Sequence, residues 1–232
     1  MNYLFDLDDT VYDLSQPFIA AYDQLFADRF SLDANQLFIL HRLHSEETFA
    51  RSEKNEISME DMYCYRIMAS FEDMGESITR EEALLFQKTY ADIQHKLTIP
   101  DEMAEILDYC KSTNQFVSVI TNGPSRHQRA KISSLGLDKW MDTSAIVISS
   151  ECGFRKPERQ IFDIAAERFE LDLKKTCFVG DNVETDILGA ASAGWKTIWF
   201  NHRHRENLTG IKPDYEVFSY AELLQLIKDL TS

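Results

Sequence analysis

Three aspartates stand within four residues near the start of the chain, in the run Phe5-Asp6-Leu7-Asp8-Asp9-Thr10. They follow Tyr3-Leu4-Phe5, which reads as a short buried strand. In an extended chain Asp6 and Asp8 share a face. Two carboxylates this close, just past an apolar strand, are costly unless a cation neutralises them. Magnesium suits that task, since it takes carboxylate and carbonyl oxygens and keeps several waters. An acidic loop that caps the next helix is the alternative, and the motif alone does not choose between them.

Three further motifs repeat the pattern of an apolar run ending in chemistry. Val119-Ile120 leads into Thr121-Asn122-Gly123, where a hydroxyl and the backbone of Asn122 and Gly123 could donate to phosphate oxygens. The same residues, followed by Pro124-Ser125, are also good turn chemistry. In Gly153-Phe154-Arg155-Lys156-Pro157 the proline holds Lys156 extended near a helix start, so the lysine could aim an ammonium into a cleft; a solvated surface lysine is the alternative. Phe178-Val179-Gly180-Asp181 again ends in an acid, and Asp186 lies five residues on, across a loop that leads into a helix. Both acids can face one cation, although Asp186 could also be an acid of the helix's first turn.

The elements that must position these groups are legible in outline. Strands are expected over 3–7, 116–120, 145–148, 177–179 and 197–200. They are apolar on successive residues rather than alternating, as in a parallel sheet covered on both faces. Helices are expected from Pro100-Asp101, over 125–135, 157–169 and 185–193, and after the Ser219-x-x-Glu222 capping box. Strand and helix alternate from about residue 100 onward, which argues for an open α/β sheet with ligands beyond the carboxyl ends of its strands. On that architecture three carboxylates, a hydroxyl and a lysine converge from four strands.

Residues 15–98 interrupt the alternation and carry no convincing strand. Phe18, Tyr22, Leu25 and Phe26 fall at helical spacing, and Ser58-x-x-Asp61 and Thr79-x-x-Glu82 look like helix starts. About four inserted helices are expected there, with prolines at 17 and 100 marking hinge candidates. The expected division is a core of residues 1–14 and 99–232 around a helical cap of 15–98.

With 232 residues, 44% of them hydrophobic, the chain can bury a sizeable core. Its net charge of −15 repels nucleic-acid backbone and anionic membrane, so a polymeric nucleic acid is not expected as partner, whereas a small anion could bind where a metal and a lysine offset the field. The four cysteines show no CxxC pair. No apolar run is long enough to span a bilayer, and Met1-Asn2-Tyr3 leads directly into the acids rather than into a signal sequence, so a cytoplasmic location is expected and no membrane association. Oligomeric state is not legible.

The order DxDxT at 6–10, a strand ending in Thr121-Asn122, Lys156-Pro157, and GDxxxxD at 180–186 resembles the haloacid dehalogenase-like (HAD) superfamily along the whole chain. That resemblance implies a Rossmann-like open parallel sheet with an inserted all-helical cap, and a magnesium-dependent phosphoric monoester hydrolase acting on a small phosphorylated metabolite. It implies Asp6 as nucleophile and metal ligand, and Asp8 as general acid and base with its backbone carbonyl on the metal. Thr121 and Lys156 would hold the phosphoryl oxygens, and Asp181, supported by Asp186, would complete the metal site. Dehalogenases of the superfamily usually lack the second aspartate, so Asp8 points to phosphate. Residues 180–187 and 49–66 resemble the pyrimidine 5′-nucleotidase-like phosphatases, which suggests nucleoside 5′-monophosphates as substrates. His41, Arg42, His44, Arg51, Lys54 and Arg66 are candidate contacts to the leaving group, and Phe18, Tyr22, Phe49 and Tyr63 candidate stacking partners for a base. A sugar phosphomutase shares every core residue, and a non-catalytic phosphate-binding protein on the same frame is a third reading.

Overall fold

The computed structural model describes residues 1–53 and 56–231, and the side chains of all of these except 46 and 49–53. The expectations placed on Phe49, Arg51 and Lys54 lie outside the described residues. Two compact units emerge, one of Met1–Asp13 with Thr98–Ser232 and the other of Leu14–Leu97.

The first unit is built on six parallel strands: β1 (Asn2–Phe5), β2 (Phe116–Thr121), β3 (Ile146–Ile148), β4 (Thr176–Gly180), β5 (Lys196–Phe200) and β6 (Tyr215–Val217). Their spatial order is β3-β2-β1-β4-β5-β6. The chain winds outward in opposite directions on the two sides of β1, so the switch point lies at the carboxyl ends of β1 and β4, where ligands of open α/β sheets bind. In this unit the helices, numbered after the four of the second, are α5 (Asp101–Ser112), α6 (Ser125–Ser134), α7 (Ser149–Cys152), α8 (Arg159–Arg168), α9 (Leu188–Ser192) and α10 (Tyr220–Thr231).

Apolar side chains cover the sheet on both faces, which is why the strands read as continuous apolar runs. Leu4, Ile120, Val147 and Phe178 are buried with Ile161, Phe162 and Trp195, the ring of Phe162 lying edge-on to Phe178 at 5.2 Å and to Trp195 at 5.5 Å. Tyr3, on the other face, is fully buried and its hydroxyl lies 3.1 Å from Thr231 Oγ1. Of the described helices, none is long and apolar enough to cross a membrane.

Three details differ from expectation. β1 ends at Phe5 rather than at Leu7, because the chain turns there and Leu7 accepts the Val11 N–H at 3.0 Å. The expected helix over 185–193 is a π-helical turn at Val183–Ile187 that runs into the short α9. The third is β6, a half-exposed edge strand of three residues with no apolar run to announce it.

Among its described residues the second unit is all-helical: α1 (Ser15–Leu25), α2 (Ala34–Glu53), α3 (Met59–Asp73) and α4 (Arg80–Gln94). Ser58 caps α3 by accepting the Asp61 N–H, and Thr79 and Glu82 form a complete capping box at α4. Its centre is aromatic. Phe18 meets Phe38 at 5.4 Å and Phe86 at 5.0 Å, and Phe26 meets Phe71 at 5.1 Å. Phe18 and Tyr22 are therefore core rather than a platform for a base: Phe18 is fully buried, and the Tyr22 hydroxyl donates to the Phe30 carbonyl at 3.0 Å.

Of the basic candidates there, His44 faces Glu47 and Asp73, and Arg66 donates to Gln87 Oε1 at 2.7 Å and lies over the Tyr63 ring. His41 is buried and close enough to Arg42, Arg66 and His44 to feel their charge.

Candidate active site

Asp6 is the first residue past β1, and its N–H still donates to Val179 of β4 at 2.8 Å. That bond fixes the backbone of Asp6 at the switch point, with the side chain almost fully buried. Lys156 Nζ lies 2.5 Å from Asp6 Oδ1 and 2.7 Å from Asp186 Oδ1, so one buried ammonium is shared by two buried carboxylates. The Asp186 carboxylate is further held by the Asn182 N–H at 3.1 Å and the Thr185 hydroxyl at 3.3 Å. Gly180 permits this arrangement, because a Cβ there would collide with the Asp186 carboxylate.

Carboxylate oxygens of Asp6, Asp181 and Asp186 all lie within 4.8 Å of one another. Burial pushes Asp6 up to about 7, with Asp186 and Asp8 adding to the rise and Lys156 opposing it. Burial likewise raises Asp181 well above the usual carboxylate range, helped by Asp9, Asp186 and Asp6. Even with Lys156 present, these acids are short of positive charge. An all-oxygen donor set in that condition fits a hard divalent cation such as magnesium.

The Asp8 carboxylate is not part of that trio. It accepts from Lys131 Nζ at 2.7 and 2.9 Å, from the Gln128 amide at 3.0 Å and from the Tyr12 hydroxyl at 2.5 Å. Burial opposes its ionisation, but Lys131, Tyr12 and Gln128 outweigh that and hold Asp8 down at about 2. Thr121 ends β2 with a buried hydroxyl that accepts from Gln128 Nε2 at 2.6 Å.

One expected substrate donor, the Gly123 backbone, is otherwise engaged. The Gly123 N–H goes to Ser149 Oγ at 2.9 Å, because the hydroxyl at the start of α7 reaches it first. The Asn122 side chain instead grips the backbone of Lys156, accepting its N–H at 2.9 Å and donating to its carbonyl at 3.0 Å. The Lys156–Pro157 peptide is cis.

Sequence reasoning also missed a basic loop after β5. Arg205 Nη1 donates to Asp181 Oδ2 at 3.2 Å. Arg203 clamps both oxygens of Asp9 at 2.6 Å, and Asp9 sits at a positive φ of 67°. Only the density of basic residues in His202-Arg203-His204-Arg205, within so acidic a chain, signalled it. For Gln128 and Lys131 the available signal was two long polar residues on the same face of a helix as the apolar Ile132, all three of them buried.

A model of the haloacid dehalogenase-like hydrolase family matches residues 2–194. The sequence is 42% identical over 115 residues to pyrimidine 5′-nucleotidase YjjG of Escherichia coli, a match that spans 49% of this chain and about half, 50%, of that protein. It is 25% identical over 225 residues to pyrimidine 5′-nucleotidase PynA of Streptococcus pneumoniae, covering 97% of this chain and 93% of that one. Among solved structures, YfnB of Bacillus subtilis bound to magnesium is similar with a TM-score of 0.71 and 26% identity, covering 97% of each chain.

Proposed function

The chain belongs to the haloacid dehalogenase-like hydrolases, and from that premise we propose that it is a magnesium-dependent phosphatase of small phosphate monoesters, working through an aspartyl-phosphate on Asp6. The observation that carries the reading is the pairing of Lys156 with one oxygen of Asp6, which leaves the other oxygen of a buried carboxylate available at the switch point. A magnesium ion held by Asp6, Asp181 and Asp186, and by the Asp8 carbonyl, would offset the charge of the phosphoryl group.

In the first step the unheld oxygen of Asp6 attacks phosphorus. A bond from Asp6 to phosphorus forms as the bond to the ester oxygen breaks, and Asp8 gives that oxygen its proton. Asp8 is ionised in the substrate-free site, so it takes up this proton with the arriving phosphate, whose negative charge favours the protonated form. In the second step water attacks the acyl phosphate and Asp8 receives its proton. Inorganic phosphate leaves, and Asp6 returns as a carboxylate. Lys156 and the Thr121 hydroxyl bind the phosphoryl oxygens, and Asp186 keeps Lys156 in place.

Two of the comparisons support a substrate class. Both relatives described above with a named activity are pyrimidine 5′-nucleotidases, one matching half of the chain and the other 97% of it. Pyrimidine nucleoside 5′-monophosphates are accordingly the expected substrates. The test is kcat/KM with magnesium for pyrimidine and purine monophosphates, sugar phosphates and a phosphopeptide. A sugar phosphate ahead of every nucleotide by about tenfold or more overturns the nucleotide assignment. Equal turnover of the phosphopeptide overturns the small-ester assignment. Asp6→Asn should keep a wild-type unfolding transition and lose turnover, because an amide is a poor nucleophile and a poor metal ligand; a clean preparation of the variant with near-normal activity sinks the covalent mechanism.

A further inference from the structure

Asp8 lies three residues beyond the last residue of β1, where no strand ladder fixes its side chain. The Tyr12 hydroxyl holds one of its oxygens, and α6 supplies the remaining ties. Gln128 and Lys131 stand three residues apart on that helix, so both project from one face, and both are buried. Lysine is almost never fully buried unless it is paired. Lys131 is 4% exposed, and its ammonium straddles the Asp8 carboxylate at 2.7 and 2.9 Å.

Gln128 adds a second tie. Its one amide nitrogen lies 3.0 Å from Asp8 Oδ2, 2.6 Å from Thr121 Oγ1 and 3.0 Å from the Asn122 carbonyl. Two hydrogens serve three acceptors, so moving any one of them disturbs the others. Gly123 leaves the room for this contact. It sits at φ 140°, and a Cβ there would come to 3.3 Å from Gln128 Cγ and Cδ.

We infer that Gln128 and Lys131 are positioning residues that set the rotamer of Asp8 and lock it in register with the Thr121 hydroxyl. The inference rests on the reading of Asp8 as general acid and base. A proton donor must reach the leaving oxygen within hydrogen-bond distance, and a supporting shell decides whether it does. Here that shell comes from α6, immediately after the Thr121-Asn122-Gly123 turn, so a single segment of chain orients both the hydroxyl and the acid.

The test compares an alkyl phosphate with 4-nitrophenyl phosphate. Only the alkyl leaving group needs a proton as its bond breaks. Lys131→Met and Gln128→Leu, each alone and on an Asp8→Asn background, are assayed for kcat/KM, with unfolding transitions recorded for every variant. Gln128→Leu keeps the ion pair, so it remains informative if Lys131→Met folds poorly. The expected result is a loss on the alkyl ester about tenfold or more larger than on the nitrophenyl ester, and no further loss once Asp8 is already asparagine. Equal losses on both esters, additive losses on the Asp8→Asn background, or no loss at all overturn the inference. If Asp8→Asn by itself treats the two esters alike, the reading of Asp8 falls and takes the positioning role with it, and that single variant identifies which failed.

Discussion

The side-chain amide of Asn122 occupies both hydrogen-bonding positions of the Lys156 backbone, accepting the N–H at 2.9 Å and donating to the carbonyl at 3.0 Å. Asn122 opens the turn after β2, whereas Lys156 precedes α8, so one amide splices two loops that are 34 residues apart in sequence. Lys156 in turn places its ammonium on Asp6 and Asp186. The position of the counter-charge of Asp6 is thus set by a residue that touches neither acid.

Asn122 should therefore be intolerant of isosteric change. Asn122→Asp keeps an acceptor for the Lys156 N–H but sets a carboxylate oxygen against the Lys156 carbonyl. Asn122→Ala loses both bonds. Displacing a catalytic group by even 1 Å can lower rate by about 100-fold, and losses of about 10- to 100-fold in kcat/KM are expected from either variant with the fold retained. Wild-type kcat/KM in a folded Asn122→Ala protein would remove the splice from the account.

Magnesium should bind the free enzyme and stabilise it. The three crowded acids repel one another, and a ligand that binds only the folded state at 100 times its Kd adds about 2.7 kcal/mol. The gain should grow with pH. Burial raises Asp6 to about 7, so the metal-free fold binds protons that the unfolded chain, with a carboxylate near 3.8, does not. The contribution of Asp6 to metal-free stability thus falls as pH rises from about 4 to about 7, while the ionised form of Asp6 that magnesium needs becomes available. Melting curves with and without magnesium at pH 5.5 and 8 check this, and Asp181→Asn should blunt the shift. A magnesium shift that shrinks as pH rises contradicts it. Chelation should abolish turnover, and calcium should restore it poorly because its looser coordination can engage both oxygens of Asp6.

The sheet and the acids were legible because each is written in a short stretch of sequence. A buried parallel strand is a run of apolar residues, and Asp6, Thr121, Asp181 and the Lys156-Pro157 pair all lie at or near the ends of such runs or of the loops after them. What could not be read was partnership. That Asn122 spends its side chain on Lys156, that Gly123 gives its N–H to Ser149, and that Lys131 answers Asp8 depend on loops separated by 26 to 123 residues. Nor does one aromatic residue in a helix differ from another in sequence, so Phe18 and Tyr22 were indistinguishable from surface rings until the helices were packed. β6 escaped notice because three edge residues need no apolar pattern to pair.

His41 offers a test of the helical unit alone. Its ring is buried among Phe18, Phe86 and Tyr90, with centroid distances of 4.9, 6.5 and 6.4 Å. Neither ring nitrogen has a hydrogen-bond partner among the described residues. Burial, and then the charges of Arg66, Arg42 and His44, push its pKa well below 6.5, so the folded protein holds it neutral. The sign of the linkage follows. In the unfolded chain this histidine takes up a proton as pH falls below about 6.5, whereas in the fold it does not, so the unfolded state binds more protons and stability is lost with falling pH. His41→Phe removes both the unsatisfied nitrogens and the titration. Leaving a buried polar group unsatisfied costs about 1–3 kcal/mol, so the variant should be about 1 kcal/mol more stable at pH 7.5 and gain further on wild type at pH 5. Denaturant midpoints at the two pH values measure it. If His41→Phe is less stable than wild type at both, or if the difference does not widen on acidification, the ring has a polar partner that this packing does not account for.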